Sequence, residues 1–251
     1  MMRDMENKVI VMTGAASGIG RAAAELAARR GAKVVIADIA EEQGDKVVDL
    51  IRREGGTATF LRTDVTSEDD IRRMVDHAVD TYGQLDGAFN NAGMPPTSRP
   101  LHEVTHAEWQ RHIAVNLTSV FLCMKYEIPA MLEKRKGSIV NTASAAAVRG
   151  NIGFSEYIAA KHGVLGLGRA AGVEYGSAGI RVNTVLPGAI KTPMLQDAME
   201  LGLNVFSGPK YPMQRPGEPS ELGEAVVWLL SDAASYVTAA HLAVDGGSTA
   251  T

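Results

Sequence analysis

Short runs of β-branched and apolar residues alternate along the chain with longer stretches that carry apolar residues every three or four positions. The runs at 8–13 (KVIVMT), 33–38 (KVVIAD) and 58–64 (ATFLRTD) predict strands, as do 85–93 (LDGAFNNAG, ending in a turn), 137–143, 180–188 and 241–247. Between them, 20–31 reads as an alanine-rich helix stopped by Gly31, followed by helices over 41–54, 68–82, 107–134, 154–176 and 219–231. Ser67, three places before Asp70, gives the start signal for the third of these. Strands that are apolar on both faces, separated by helices of about ten residues or more, predict parallel βαβ units. That makes the chain an α/β protein with a doubly wound parallel β-sheet and helices on both faces. No linker-like composition or internal repeat divides it, so residues 1–251 are expected to form one domain.

Composition narrows the picture. Hydrophobic residues make up 45% and charged residues 22%, as in ordinary globular proteins, and the net charge of −4 argues against nucleic-acid binding. One cysteine, Cys123, leaves no intramolecular disulfide and fits a reducing cytoplasm. The first residues lack the apolar h-region of a signal peptide, and no run approaches the ~20 apolar residues of a membrane span. A cytoplasmic protein free of membrane is expected.

The first strand runs straight into TGAASGIG, with Gly14, Gly18 and Gly20 opening a helix. Glycine is needed where a chain turns tightly and lets its backbone approach a diphosphate, which then meets the N–H groups and positive dipole end of the helix. The spacing is Gly-x-x-x-Gly-x-Gly rather than the commoner Gly-x-Gly-x-x-Gly, and an ordinary glycine-rich turn would look similar. Asp38, 18 residues past Gly20 at the end of the second strand, strengthens the ligand reading and gives the fold a Rossmann character. A carboxylate there accepts from a ribose 2′-hydroxyl and repels a 2′-phosphate. Neither Ala16, Ser17 nor Ile39 supplies a compensating positive charge, so NAD is favoured over NADP. The alternative for Asp38 is a strand-end cap on the next helix.

Tyr157 and Lys161 lie four residues apart on a predicted helix and so share a face. A free phenol, with a pKa of about 10, is a poor base at neutral pH. A neighbouring ammonium and an oxidised nicotinamide would both stabilise the phenolate. Ser144 lies just past the preceding strand, on the edge where open α/β sheets bind ligands.

These stretches together resemble the short-chain dehydrogenase/reductase family over essentially the whole chain. The markers are TGAASGIG (13–20), DV (64–65), NNAG (90–93), Asn116, Ser144 followed 13 residues later by Tyr157, Lys161 and PGAIKT (187–192). The resemblance implies that Gly14, Ser17, Gly18, Ile19, Gly20, Asp38 and Ile39 hold the adenosine diphosphate half of the cofactor. It implies that Asp64 and Val65 hold the adenine and that Asn90, Ala92 and Gly93 line the ribose side. Pro187, Gly188, Ile190 and Thr192 are expected around the nicotinamide carboxamide and phosphate. It further implies that Tyr157 is the acid–base group, that Ser144 holds the reacting oxygen, and that Lys161 holds the nicotinamide ribose. Asn116 would position a relaying water. Ala143, where a second serine often stands, is one departure.

Within the family, several stretches are similar to bacterial dehydrogenases of cyclic alcohols and dihydrodiols. A small ring fits the apolar pocket expected from Met94, Ala146, Val148, Ile152, Met194 and Leu195. The segment 189–218, rich in proline, glycine and methionine, is expected to be a mobile lid over that ligand. An acyl-carrier-protein-linked ketoreductase is the rival enzyme, although Asp38 opposes the NADPH that goes with it. A non-catalytic cofactor sensor is the rival of another class. His102 and His106 have a spacing that suits zinc, but with His112, Glu103 and Glu108 they lack a metal motif. They are expected on a loop and helix-start surface, with no metal. The basic run EKRKG (133–137) fits a helix C-terminus. The apolar faces of helices 107–134 and 154–176 are expected to be partly subunit interface, since related enzymes pair these helices into dimers or tetramers, although core packing alone also explains them. A homotetramer is expected.

Overall fold

Every residue of the first strand, β1 (Val9–Thr13), is buried, and its side chains divide between two separate cores. Ile10 and Met12 face one layer and Val9 and Val11 the other, because successive strand residues point to opposite faces. β2 (Lys33–Asp38) repeats the pattern, with Val34 and Ile36 on one side and Val35 and Ala37 on the other. Burying each large aliphatic side chain of this kind stabilises the fold by about 1.5–3 kcal/mol. This two-sided burial is why the strands read as continuous apolar runs.

The structure is a computed structural model that describes residues 4–200 and 212–250. Its further strands are β3 (Thr57–Arg62), β4 (Gly87–Asn90), β5 (Gly137–Thr142), β6 (Ile180–Pro187) and β7 (His241–Val244). All seven pair in parallel in the order β3-β2-β1-β4-β5-β6-β7, so the sheet is doubly wound, with its switch point between β1 and β4. α1 (Gly18–Arg29), α2 (Glu41–Arg53) and α8 (Pro219–Leu230) cover one face through Ala23, Ala27, Val47, Ile51 and Val226. α3 (Glu68–Tyr82), α5 (Ser119–Leu132) and α6 (Ser155–Tyr175) cover the other through Met74, Cys123, Met131 and Val164. The alanines of α1 let α8 approach closely: a Cβ on Gly223 would lie 3.3 Å from the Ala23 nitrogen.

Local signals decode much of this. Ser67 caps α3, its Oγ accepting the Asp70 N–H at 3.3 Å. The stretch 107–134 is continuous but not one α-helix. α4 (His106–Ile113) passes into α5 through a π-helical turn, Ala114–Thr118, with Asn116 at its centre. Glu108 is occupied at the start of α4, where it and Thr105 form a reciprocal capping box. Part of the proline-rich segment is helical, α7 (Pro193–Glu200), and its two ends are tied together. The Lys191 N–H donates to the Gly217 carbonyl and the Gly217 N–H to the Ala189 carbonyl, both at 2.9 Å. The middle of the expected lid, 201–211, lies outside the described residues. Among the described residues no helix is long and apolar enough to cross a membrane.

Candidate active site

A cleft of about 470 Å³ opens along the carboxyl ends of the strands, on both sides of the switch point. Its floor starts at the glycine turn. Gly14 adopts φ +63° and Gly18 φ +53°, conformations that side-chain-bearing residues rarely take. A Cβ on Gly20 would lie 2.2 Å from the Gly14 carbonyl oxygen, so only glycine lets α1 start against its own turn. Gly20 therefore packs beneath the cleft, while Gly14, Ser17, Gly18 and Ile19 line it. Ser17 is the N-cap of α1 but its side chain makes no capping bond, which leaves the helix start open to an anion. Asp38 bridges turn and strand end: Oδ2 accepts the Ala16 N–H and Oδ1 the Ala40 N–H, each at 3.0 Å. Ile39 beside it is exposed and lines the cleft, as do Asp64 and Val65 after β3.

At the end of β4 the expected pairing needs correction. Asn90 does not reach the cleft. Its Nδ2 donates to Glu127 Oε2 and to Asn141 Oδ1, both at 3.0 Å, inside the protein. Strand alternation turns the next residue the other way, and it is Asn91, with Ala92 and Gly93, that lines the cleft. The Asn91 and Ala92 N–H groups donate to the buried Thr13 hydroxyl at 3.0 and 3.1 Å, which ties this turn to β1.

On the other side, Ser144 follows β5 in extended backbone, and its Oγ accepts the Ala146 N–H at 3.1 Å. The Ser144 side chain also hydrogen-bonds the Tyr157 hydroxyl from the first turn of α6. One turn on, Lys161 is buried; its Nζ donates to the Thr142 carbonyl at 2.9 Å and sits 5.7 Å from the centre of the Tyr157 ring. Burial pushes the Tyr157 phenol above its ordinary value, against the pull of Ser144. Burial also lowers Lys161 to about 8. Both groups are thus held in surroundings that resist charge, where a positive ligand or an ion pair between them has the greatest effect.

Asn116 is fully buried in the π-turn. Its Oδ1 accepts the Met94 N–H at 3.0 Å and its Nδ2 donates to the Met94 carbonyl at 3.2 Å, so the Met94 backbone sets which end of the amide is oxygen. A Cβ on Gly93 would intrude to 2.8 Å from Asn116 Oδ1 and 3.5 Å from Lys161 Nζ. Pro187, Gly188, Ile190 and Thr192 complete the wall opposite.

Of the expected substrate residues, Met94, Ala146, Met194 and Leu195 line the cleft. Val148 and Ile152 do not. Val148 is half-exposed at the end of a 3-10 turn and Ile152 projects wholly into solvent before α6. The backbone leaves the sheet there, and spacing along a loop carries no period that could have told inside from outside. Phe154 takes the place expected of them, its ring edge-on to Tyr157 with centroids 6.4 Å apart. Standing three residues before Tyr157, it shares that face of the helix start. His112 also departs from expectation. It is buried rather than on a surface, with Nδ1 3.4 Å from Asn116 Nδ2 and Nε2 3.8 Å from Glu156 Oε1. His102 is exposed on a 3-10 turn, separate from His106 at the start of α4.

The comparisons with known proteins agree with this geometry. The family model described as enoyl-(acyl carrier protein) reductase matches residues 14–249. The chain is 49% identical to the 2,5-dichloro-2,5-cyclohexadiene-1,4-diol dehydrogenase of Sphingobium indicum, covering 99% of this chain and 100% of that one. It is 44% identical to the cyclohexanol dehydrogenase of an Acinetobacter species, over 99% and 98% of the two chains. Among solved structures, the 3-ketoacyl-(acyl-carrier-protein) reductase of Brucella melitensis complexed with NADH superposes with a TM-score of 0.90 at 33% identity, over 98% and 99% of the chains. The chain belongs to the short-chain dehydrogenase/reductase family.

Proposed function

We propose that this protein is an NAD-dependent dehydrogenase that oxidises a small cyclic secondary alcohol or diol, or reduces the matching ketone. The observation that carries this reading is the convergence of Ser144, Tyr157 and Lys161 on one cleft that also contains the glycine turn and Asp38. The relatives named for cyclohexanol and a cyclohexadiene-diol support the ring class.

The residues fit a nicotinamide dinucleotide. Gly14, Gly18 and the uncapped start of α1 leave room and N–H donors for a diphosphate. Asp38 offers a carboxylate to a ribose diol and repels a 2′-phosphate, which supports NAD over NADP. Asp64 and Val65 would flank the adenine, Ala92 and Gly93 the ribose, and Ile190 and Thr192 the carboxamide and phosphate. When bound, the nicotinamide supplies the hydride acceptor or donor.

The side chains manage the proton and the oxygen. Ser144 holds the substrate oxygen by hydrogen bond. Tyr157 takes the hydroxyl proton as hydride leaves the carbinol carbon, and returns it in the reverse direction. Lys161, as its ammonium, stabilises the phenolate across the shared helix face and would hold the nicotinamide ribose. Asn116 holds the Met94 backbone in place and positions the water that carries the proton outward. Apolar walls from Met94, Ala146, Phe154, Met194 and Leu195 suit a ring and exclude water. Exposed Phe121 on α5, Val173 on α6 and Trp228 on α8 support a homo-oligomer, with a tetramer favoured over a dimer, and the buried thiol of Cys123 suits the cytoplasm.

The test is absorbance of reduced nicotinamide across a panel of cyclic alcohols, diols, hydroxysteroids and polyols, with NAD and NADP separately and Tyr157→Phe as the blank. NAD-linked turnover of a ring alcohol supports the reading. Turnover with NADP alone would favour the acyl-carrier-protein ketoreductase.

A further inference from the structure

Behind the substrate side of the cleft lies a line of buried polar groups that runs from Asn116 through His112 to Glu156. The orientation of Asn116 is fixed by the Met94 N–H, which requires an oxygen opposite it. The group that Asn116 turns to His112 is therefore the Nδ2 amide, a donor, at 3.4 Å. His112 Nδ1 must then accept, and a neutral imidazole carries its proton on Nε2. That proton points toward Glu156 Oε1, 3.8 Å away, too long for a hydrogen bond but close enough for attraction. Glu156 Oε1 in turn accepts the Thr97 N–H at 2.7 Å and the Thr97 hydroxyl at 2.9 Å. The segment Met94–Thr97, whose Met94, Pro95 and Pro96 line the cleft, is thus held at one end by Asn116 and at the other by Glu156, the residue next to Tyr157.

We propose that His112 and Glu156 are positioning residues: Glu156 holds the Nε2–H form of His112, whose Nδ1 then accepts from Asn116 and, together with the Met94 backbone, steadies Asn116 and the Met94–Pro96 wall against which the ring substrate lies. This rests on the dehydrogenase reading for its effect on turnover, though not for the state of the imidazole. Charges facing His112 are Glu156 from α6 and, from its own helix, Arg111 and Glu108, the latter paired with Arg99 at 3.3 Å. Burial holds the imidazole below its ordinary value, against the opposing pull of Glu156. In Glu156 itself burial is the largest influence and acts to raise the pKa, but the Thr97 bonds, its own backbone N–H and the nearby His112 together lower it and keep the carboxyl ionised. Neutral imidazole beside carboxylate is the state the geometry calls for.

Two measurements on the full-length protein test this. The first is long-range proton–nitrogen NMR of histidine-labelled protein, with the His112 signal identified by its loss in His112→Asn. The expected result is a neutral Nε2–H imidazole at pH 7 whose titration midpoint falls further in Glu156→Gln. An Nδ1–H form, a cation at pH 7, or a midpoint indifferent to Glu156→Gln would overturn the proposal. This holds whether or not any alcohol is turned over. The second compares His112→Leu with His112→Asn, whose Oδ1 can replace the Nδ1 acceptor. His112→Leu should lower kcat/KM for the best ring alcohol by roughly 10- to 100-fold, while NADH affinity stays within about threefold. His112→Asn should recover most of that loss. Equal kcat/KM in wild type and His112→Leu, or equal losses in both variants, would contradict it. If the wild type turned over no alcohol in the panel, the dehydrogenase reading would fail while the NMR result still decided the imidazole's state.

Discussion

The Asp38 carboxylate accepts the Ala16 N–H at 3.0 Å, so one acid at the end of β2 braces the glycine turn from the next strand. The same residue lines the cleft with exposed Ile39 beside it, and in the proposed function it meets the adenosine ribose. Bringing like charges together at such a site costs several kcal/mol. Replacing Asp38 with Ala and Ile39 with Arg should therefore raise kcat/KM with NADP relative to NAD by roughly 100-fold or more. Steady-state kinetics with both cofactors measures it. An unchanged ratio would show that discrimination lies elsewhere in the cleft.

A Cβ on Gly93 would stand 2.8 Å from Asn116 Oδ1 and 3.5 Å from Lys161 Nζ. Gly93→Ala forces the Asn116 amide to move, while the contact with Lys161 stays ordinary, at a cost of about 1–3 kcal/mol. Turnover should fall by at least about tenfold while the thermal midpoint drops by only a few degrees. Retention of full turnover would mean that Asn116 tolerates displacement.

Glu127 of α5 lies against the carboxyl ends of β4 and β5, fully buried, with Oε2 accepting from Asn90. Desolvation raises its carboxyl to about 8, against the lowering effect of that hydrogen bond. Its Oε1 and the Asn90 Oδ1 have no hydrogen-bond partner, which suits a protonated acid better than a carboxylate. A carboxyl whose folded pKa is raised binds its proton more tightly in the native state. The stability it contributes is complete below about 4.5 and is lost as pH rises to about 8. Glu127→Gln removes the titration, so the variant should lose less stability than wild type between those limits. Denaturant melts over that range measure the difference; parallel curves would place an ionised Glu127 in the fold.

Much of this was legible in the sequence because it follows local rules. The two-sided burial of Val9–Met12 and Val34–Ala37 gives continuous apolar runs, and the sheet follows from them. Gly14, Gly18 and Asp38 are set by backbone conformation and strand ends, which spacing reveals. The π-turn at Asn116 was not legible, since one extra residue in a helical turn leaves no compositional mark. Nor was the burial of His112, because although Asn116 stands four residues on in the same helical stretch, Glu156 comes from the start of α6, which only the tertiary fold brings against it. Asn90 and Asn91 carry the same side chain, and only the pleat of β4 decides which one faces the cleft.

The central claim is that Tyr157 transfers the proton in an NAD-linked oxidation, and the most direct measurement is the turnover of a cyclic alcohol with NAD by wild type and Tyr157→Phe, alongside NADH affinity by fluorescence. General acid–base catalysis of this kind contributes about 10²- to 10⁴-fold. The account predicts a loss of that size in kcat, with NADH affinity changed by less than about threefold. Turnover in Tyr157→Phe within about threefold of wild type would contradict it.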